Sequence, residues 1–237
     1  MELTDLRFAK AVLDPTLIDG VYNACDQWCD YCPLTARCLA FRCRPSADGD
    51  GDVYMHIAEA MDESMKALKD RHDAEGVPVP PGLAWLLAND PRNGSGVVLV
   101  DDPLERTGRQ YVVQSAMHLM SRGDLPAEIP KRANGPTPLD VFIRYHFLIG
   151  AKVYRAVVMS SQAARSGDAA ARDDADMAAK VALLLIDRSH DAPELMHMDE
   201  GHARIDQLRA QLRRLRRELS ARFPDAQAVK RPGFDDA

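Results

Sequence analysis

Apolar side chains recur at three- and four-residue spacing along most of this chain. An early example is the series Ile57, Met61, Met65 and Leu68. Such spacing places the side chains on one face of an α-helix and predicts an amphipathic helix. Strand patterns are scarce, because the only β-branched run, Val97–Val100, has no partner run at hairpin distance.

Capping and breaking residues set the limits of the other predicted helices. Asp102 followed by Pro103 is typical of an N-cap and a first helical position. Pro138 opens a stretch that is apolar nearly all round, which indicates the central, buried helix. The small and polar residues 166–174 are expected to form a linker. In chain order the predicted helices are 52–71, 83–88, 103–121, 138–159, 175–188 and 193–222.

This pattern predicts an all-α fold: a multi-helix bundle with a small N-terminal helical cysteine-cluster module. Short connections between the helices favour antiparallel neighbours. We expect residues 1–45 to form the metal-binding module, packed on the bundle. Residues 46–222 would form the bundle, and residues 223–237 an irregular C-terminal tail.

Composition and charge narrow the classes of function. The chain has 237 residues and a net charge of −6, which argues against a protein whose whole surface binds nucleic acid but leaves room for a local basic face. No apolar run approaches the ~18 residues that a membrane span needs, so we expect no membrane partner. The first residues include acidic side chains and lack the apolar stretch of a signal peptide. We therefore expect no secretory signal and a cytoplasmic protein.

All five cysteines fall within one short stretch, residues 25–43. Thiolates gathered this densely are typical of zinc or iron–sulfur sites. In the reducing cytoplasm they indicate metal or redox chemistry rather than a disulfide framework.

Prolines suggest how these thiols could converge. A helix that starts at Pro15 would place the first three on one face. Pro33 would end that helix and open a second short one, because the residue before a proline avoids the α region. The expected ligands are Cys25, Cys29, Cys32 and Cys38, with Cys43 as a substitute.

The spacing also bears on which metal is bound. Four candidate ligands within fourteen residues resemble the compact loops that hold iron–sulfur clusters. Structural zinc more often draws two pairs from separated knuckles, and here only Cys29 and Cys32 form a Cys-x2-Cys pair. We therefore expect a [4Fe–4S] cluster, with zinc as the first alternative and metal-free thiols as the second.

One short motif resembles that of a known family. Cys25-x3-Cys29-x2-Cys32, with Tyr31 before the last cysteine, is similar to the cluster motif of radical S-adenosylmethionine enzymes. The resemblance implies a [4Fe–4S] cluster on three cysteines, with an open iron that binds the cofactor. The family's β/α barrel and Gly-rich cofactor segment have no counterpart here, and Cys38 could close the open position. We therefore do not expect radical chemistry.

Three cations on the central helix are the candidates for cofactor binding: Arg144, Lys152 and Arg155. A charge on a buried helix must be paired or must line a pocket. We expect structural ion pairs, such as Lys152–Asp187. The alternative is an anion-binding pocket between helices 138–159 and 175–188.

The last predicted helix combines a leucine seam with many arginines. The seam is formed by Ile205, Leu208, Leu212, Leu215 and Leu219. We expect it to pack on the bundle; the alternative is a homodimer. The arginines would then be available to an unknown, acidic protein partner or to nucleic acid, of which we expect the protein.

Three functions follow from these features. We expect a metalloprotein in a redox or sensing role, with an iron–sulfur cluster. The first alternative is an adaptor in which zinc joins the short N-terminal helices and the Arg-rich C-terminal helix binds partners. The second is an enzyme with the anion pocket. We lean against an enzyme and assign no catalytic residue, since no Ser/His/Asp order, Walker loop or dinucleotide fingerprint is present.

Overall fold

The computed structural model describes residues 14–42, 70, 73–74, 101–121, 129–190 and 202–235. Within this part of the chain there is no strand, so the predicted all-α class is confirmed. Five α-helices have described bounds: α1 (Leu39–Arg42), α2 (Pro103–Met120), α3 (Pro138–Ser166), α4 (Ala169–His190) and α5 (His202–Arg222). The predicted helices at 52–71 and 83–88, apart from residue 70, lie outside it.

Side-chain caps start α2 and α3. Asp102 is the N-cap of α2, where its Oδ1 accepts the N–H of Leu104 at 2.8 Å, and Pro103 follows as predicted. Thr137 and Asp140 form a reciprocal capping box at the start of α3. These groups accept hydrogen bonds from N–H groups that have no partner inside a helix.

The predicted linker at 166–174 is wrong. α3 continues to Ser166, and Gly167, in the left-handed conformation (φ 70°), ends it. α4 then begins at Ala169, where the side chain of Asp168 accepts the N–H of Ala170 at 2.9 Å. Alanine favours a helix strongly, and Ala171 is buried, so this segment extends α4 toward the core instead of linking two helices.

The chain divides into two compact units, and the predicted domain bounds stay a prediction. The first unit comprises Met1–Tyr22 and Cys32–Leu99. The second comprises Asn23–Tyr31 and Val100–Ala237. None of the described helices is both long enough and apolar enough to cross a membrane.

The core of the second unit is built around α3 and α4. These two helices pack on each other more extensively than any other described pair, α2 packs on α3, and α5 contacts α2 and α4. The α5 seam faces this core, as predicted: Leu208, Leu212, Leu215 and Leu219 are each at most 1% exposed. Residues 223–235 continue with turns and a short 3₁₀ segment, Ala226–Ala228.

Two glycines allow α2 and α3 to approach closely. A Cβ at Gly108 would lie 3.0 Å from Val153 Cγ1. A Cβ at Gly150 would overlap Val112 Cγ2. The α2–α3 interface therefore depends on the absence of a side chain at Gly150 and leaves little room for one at Gly108.

In the first unit, residues 14–22 lie beside residues 32–42. The N–H of Ile18 donates to the carbonyl of Arg37 at 3.0 Å, and Arg37 Nε donates to the carbonyl of Thr16 at 3.0 Å. Arg42 forms an ion pair with Asp14. These contacts hold residues 14–22 against residues 32–42.

The helix predicted from Pro15 is wrong. Residues 14–28 form turns and bends, and the first short helices that follow are the 3₁₀ turns Cys29–Tyr31 and Thr35–Arg37. Asp14 Oδ1 accepts the N–H and the hydroxyl of Thr16, which favours a turn. Gly20 has a φ of 70°, a conformation that a continuing right-handed helix does not contain.

Candidate metal centre

The structure places the candidate ligands on two segments. Cys25 and Cys29 lie on Asn23–Tyr31, in the second unit, and Cys32 and Cys38 belong to the first unit. Cys38 is buried, the other three are half-buried, and none of the four is in a disulfide. Cys43 lies outside the described residues. Three of the four therefore do not have the full burial of a core cysteine.

Cys32 accepts a hydrogen bond from the main chain. The N–H of Leu34 donates to its Sγ at 3.4 Å. A donor two residues further on stabilises negative charge on the sulfur, and hydrogen bonds of this kind tune thiolate ligands in metal sites.

Two cations of α3 hold the segment Asn23–Tyr31 through its main chain. Lys152 Nζ donates to the carbonyl of Asn23 at 2.7 Å. Arg144 donates from Nη2 to the carbonyl of Gln27. These contacts lie on either side of Cys25, so the backbone at that thiol is fixed by α3.

Asp26 adds a charged anchor to the same segment. Tyr145 donates its hydroxyl to Asp26 Oδ2 at 2.9 Å, and Arg188 of α4 forms an ion pair with the same carboxylate. Arg188 also donates to the Tyr145 hydroxyl, at 3.2 Å. Burial raises the pKa of Tyr145, and the negative charge of Asp26 adds to the rise, so this hydroxyl stays protonated.

Aromatic rings provide the apolar part of the attachment. Trp28 is 7% exposed and packs edge-to-face with Tyr31 and Tyr145, each with ring centroids 5.5 Å apart. The N–H of Arg132 donates to the Tyr31 hydroxyl at 2.8 Å. Burial of an indole of this size fixes the segment more strongly than any one of its hydrogen bonds.

Gln27 carries backbone strain in the middle of this segment. Its φ is 58°, the one positive φ among the described residues other than glycine. Such a conformation costs on the order of 1 kcal/mol, and it persists only where surrounding contacts hold it. Arg144, bound to the Gln27 carbonyl, is one of these contacts.

Lys152 is the most buried cation near the cysteines. The residue is 5% exposed, and burial lowers its pKa to about 8. The negative charge of a Cys25 thiolate would oppose this shift of the Lys152 pKa. The predicted Lys152–Asp187 pair is wrong, because Lys152 faces the segment Asn23–Tyr31 and Asp187 binds Arg216 of α5 at 2.6 Å.

The third candidate cation is paired with a carboxylate. Arg155 forms a bridge of 3.0 Å to Asp174 of α4. Arg144 and Lys152 donate to main-chain carbonyls, so each of the three cations has a protein partner. These contacts give the anion-binding pocket no support, and it stays a prediction.

No three His, Cys, Asp or Glu side chains in the described ranges lie together as metal ligands would. The convergence of four thiolates therefore stays a prediction.

Sequence reasoning missed the groups that attach the cysteine segment to the bundle. Asp26 and Tyr145 are 119 residues apart in sequence, and no local pattern pairs them. A usable signal was present in Trp28 and Tyr31, two large aromatic residues interleaved with the cysteines. Such residues indicate a segment that packs against a core.

Comparisons of the chain with protein-family models, with curated proteins and with solved structures found no match.

Proposed function

We propose that this chain is a cytoplasmic helical metalloprotein with an iron–sulfur cluster in a redox or sensing role. Its ligands would be Cys25, Cys29, Cys32 and Cys38. The observation that carries the proposal is four thiols within fourteen residues, three of them incompletely buried.

The local environment supports this proposal. A cysteine that serves only as a small apolar residue is normally buried, whereas Cys25 and Cys29 are half-buried on a segment that is anchored at several points. An unfolded chain rarely contains a preformed metal site, so the energy of metal binding contributes to folding. Binding of the cluster would supply the energy that draws the four thiolates together.

Metal analysis tests the proposal directly. The protein is purified without oxygen, and its iron, sulfide and zinc contents are measured with a visible spectrum. Iron and sulfide, with a broad band near about 400 nm, are expected for a thiolate-ligated cluster. A colourless protein without iron would refute the iron–sulfur proposal.

Two matched variants assign the ligands. Cys29→Ser removes a proposed ligand and is expected to abolish most of the iron binding. Cys43→Ser removes the fifth thiol and is expected to leave the iron content and the spectrum unchanged. Equal losses from both variants would contradict the proposed ligand set, as would no loss from Cys29→Ser.

The exposed side of α5 favours a second candidate function. Residues 202–222 carry seven arginines and two acidic residues. Within the described part of the chain, Arg213 and Arg217 are exposed and form no ion pair, while Arg214 and Arg216 are paired with Glu218 and Asp187. A zinc-bound adaptor could use this basic side to contact an acidic protein.

Zinc content separates the two candidates. About one zinc per chain, without colour or sulfide, would favour the adaptor. Replacement of Arg213 and Arg217 by Gln should then weaken binding to an acidic test protein and leave the zinc content unchanged. Iron together with sulfide would refute the zinc candidate.

A further inference from the structure

We propose that the segment Asn23–Tyr31 covers a site on α3 and α4 for a small oxyanion, a ligand with a carboxylate or phosphate group. Asp26 of the segment fills this site as an internal carboxylate. An external oxyanion competes with Asp26 and releases the segment. This site is independent of any metal and of the proposed function.

Four hydrogen-bond donors on two helices form the site. α3 contributes Arg144, Tyr145 and Lys152. α4 contributes Arg188. Each of the four donates to an oxygen atom of the segment Asn23–Tyr31. Guanidinium, ammonium and hydroxyl groups are the donors with which proteins bind carboxylates and phosphates. In the structure these donors bind the chain itself, so the site is filled.

The carboxylate of Asp26 connects the segment to this site. Its Oδ2 accepts the Tyr145 hydroxyl at 2.9 Å and forms the ion pair with Arg188. Its Oδ1 accepts the N–H of Trp28 at 3.1 Å, within the segment itself. Asp26 is therefore bound as a carboxylate ligand would be, between a guanidinium and a hydroxyl group.

The segment offsets only part of the positive charge at the site. Three of the four donors are cations, and Asp26 is the one carboxylate that the described residues place on them. Arg144 and Lys152 bind main-chain carbonyls, which carry no net charge. Lys152 is 5% exposed, and a buried cation without a charged partner is costly. A ligand with two negative charges therefore offsets more of this positive charge than Asp26 does.

Strain within the segment favours its release. Gln27 has a φ of 58°, and its side-chain Nε2 is buried without a hydrogen-bond partner in the part of the chain that the structure describes. Both features cost free energy while the segment is bound, and a released segment no longer has that cost. An oxyanion therefore displaces a segment that is not in its most favourable conformation.

Calorimetry tests the competition between Asp26 and an external oxyanion. Binding of inorganic phosphate and of succinate is measured for the wild-type chain, Asp26→Asn and Asp187→Asn. Asp26→Asn removes the competing charge, so it should bind at least one probe about tenfold more tightly than the wild type does. The probe that is bound more tightly identifies the group that the site takes, phosphate or carboxylate.

Asp187→Asn is the matched control for the loss of one negative charge. Asp187 also pairs with an arginine, but that residue is Arg216 of α5, at 2.6 Å. The control should therefore bind both probes as the wild type does. Equal binding by the wild type and Asp26→Asn, or an equal gain in Asp187→Asn, would overturn the proposal.

Trp28 reports the release of the segment. Its side chain is 7% exposed, and Trp85→Phe leaves it as the only tryptophan. In that chain, saturating phosphate or succinate should shift the emission to longer wavelength, because Trp28 enters water, and chloride at the same ionic strength should not. This measurement also decides the proposal if Asp26→Asn does not fold. No shift with either probe, or the same shift in chloride, would overturn it.

A second substitution in the Asp26→Asn chain tests the donors. Lys152→Met should remove most of the gained affinity, because it removes a buried cation of the site. Lys180→Met is its control, since Lys180 binds Asp235 at 3.0 Å and lies outside the site. Equal effects of the two lysine substitutions would overturn the place of Lys152 in the site.

Discussion

Asp140 and Arg132 form a bidentate ion pair at the start of α3. Arg132 Nε and Nη2 lie 2.6 Å and 3.2 Å from the two carboxylate oxygens, and Asp140 is 1% exposed. The main-chain N–H of Arg132 also binds Tyr31. Arg132 therefore connects the cap of α3 with the segment Asn23–Tyr31.

The ion pair predicts a specific dependence of stability on pH. The Arg132 guanidinium, with hydrogen bonds from Thr137, lowers the pKa of Asp140 to about 2. A lowered carboxyl pKa stabilises the folded state above the ordinary value, and the contribution is lost as the pH falls from about 4 to about 2. Because Arg132 is partly exposed, Asp140→Asn should lower the free energy of unfolding by about 1 kcal/mol at neutral pH.

Urea unfolding of wild type and Asp140→Asn across that pH range measures this difference. It should shrink as the pH falls below about 4 and disappear only as the pH falls through about 2, the pKa of Asp140 in the folded state. Asp173→Asn, at an exposed site on α4, is the control and should cost little at any pH. A difference that stays constant with pH would contradict the role given to the ion pair.

For single residues, the sequence predicts contacts between neighbours in the chain. Asp102 and Pro103 start α2 as expected, because an N-cap acts on the next two or three residues. The attachment of Asp26 to Tyr145 and Arg188 could not be predicted, because it depends on which helices meet. The partner of Lys152 was predicted wrongly for the same reason.

Helix α3 meets α2 through a steric fit at Gly150. A Cβ there would overlap Val112 Cγ2, a branched side chain with limited freedom to move. Glycine inside a helix costs up to about 1 kcal/mol relative to alanine. Its position at this contact offsets that cost.

Gly150→Ala tests this fit. Overpacking costs about 1–3 kcal/mol, which outweighs the gain in helix propensity, so the free energy of unfolding should fall by about 1 kcal/mol. The same substitution in a Val112→Ala background should be neutral or stabilising, because the overlapping methyl group is gone. Chemical denaturation of the four chains gives the coupling. Equal effects in both backgrounds would show that the contact does not limit packing.

At the scale of the helices, the sequence predicted where the apolar helices lie more accurately than where they begin and end. α2 matches its prediction almost residue for residue, whereas α3 and α4 both extend into the supposed linker. Small residues at 169–171 look like a linker because they carry little apolar area. In the structure they are compatible with a helix that packs closely, and Ala171 is 2% exposed.

For the molecule as a whole, the burial of the α5 seam shows whether its leucines pack within one chain or could pack between two chains. Its four leucines are buried against α2 and α4 of the same chain. A helix whose apolar face is already covered has no seam left for a second copy. The basic side of α5 is the part that remains exposed.

Leu215→Ala distinguishes the two arrangements. Its side chain is 0% exposed, so its truncation should lower the free energy of unfolding by about 2–5 kcal/mol. If the seam packs within one chain, this loss should be the same over an about hundredfold range of protein concentration. Thermal or urea unfolding at both ends of the range measures it. A loss that depends on concentration would indicate that the seam joins two chains.

The fold class could be predicted from the sequence because apolar periodicity is repeated over long stretches. The path of the chain around the cysteines could not, since the turns at Asp14, Gly20 and Gln27 depend on local bonds that residue spacing does not reveal. The cysteines themselves stand out by number alone. The contacts that attach the segment Asn23–Tyr31 to the bundle become visible only in three dimensions.

The attachment through main-chain carbonyls has a consequence for how this chain can change over generations. A carbonyl is supplied by every residue type, so Asn23 could be exchanged for many others without loss of its bond to Lys152. Fewer residue types suit position 27, since the φ of 58° at Gln27 favours glycine, asparagine or aspartate. The donors Arg144 and Lys152 allow no such exchange. In distantly related chains, Arg144 and Lys152 should therefore be retained as two cations eight positions apart on α3. The residues between the cysteines can diverge more.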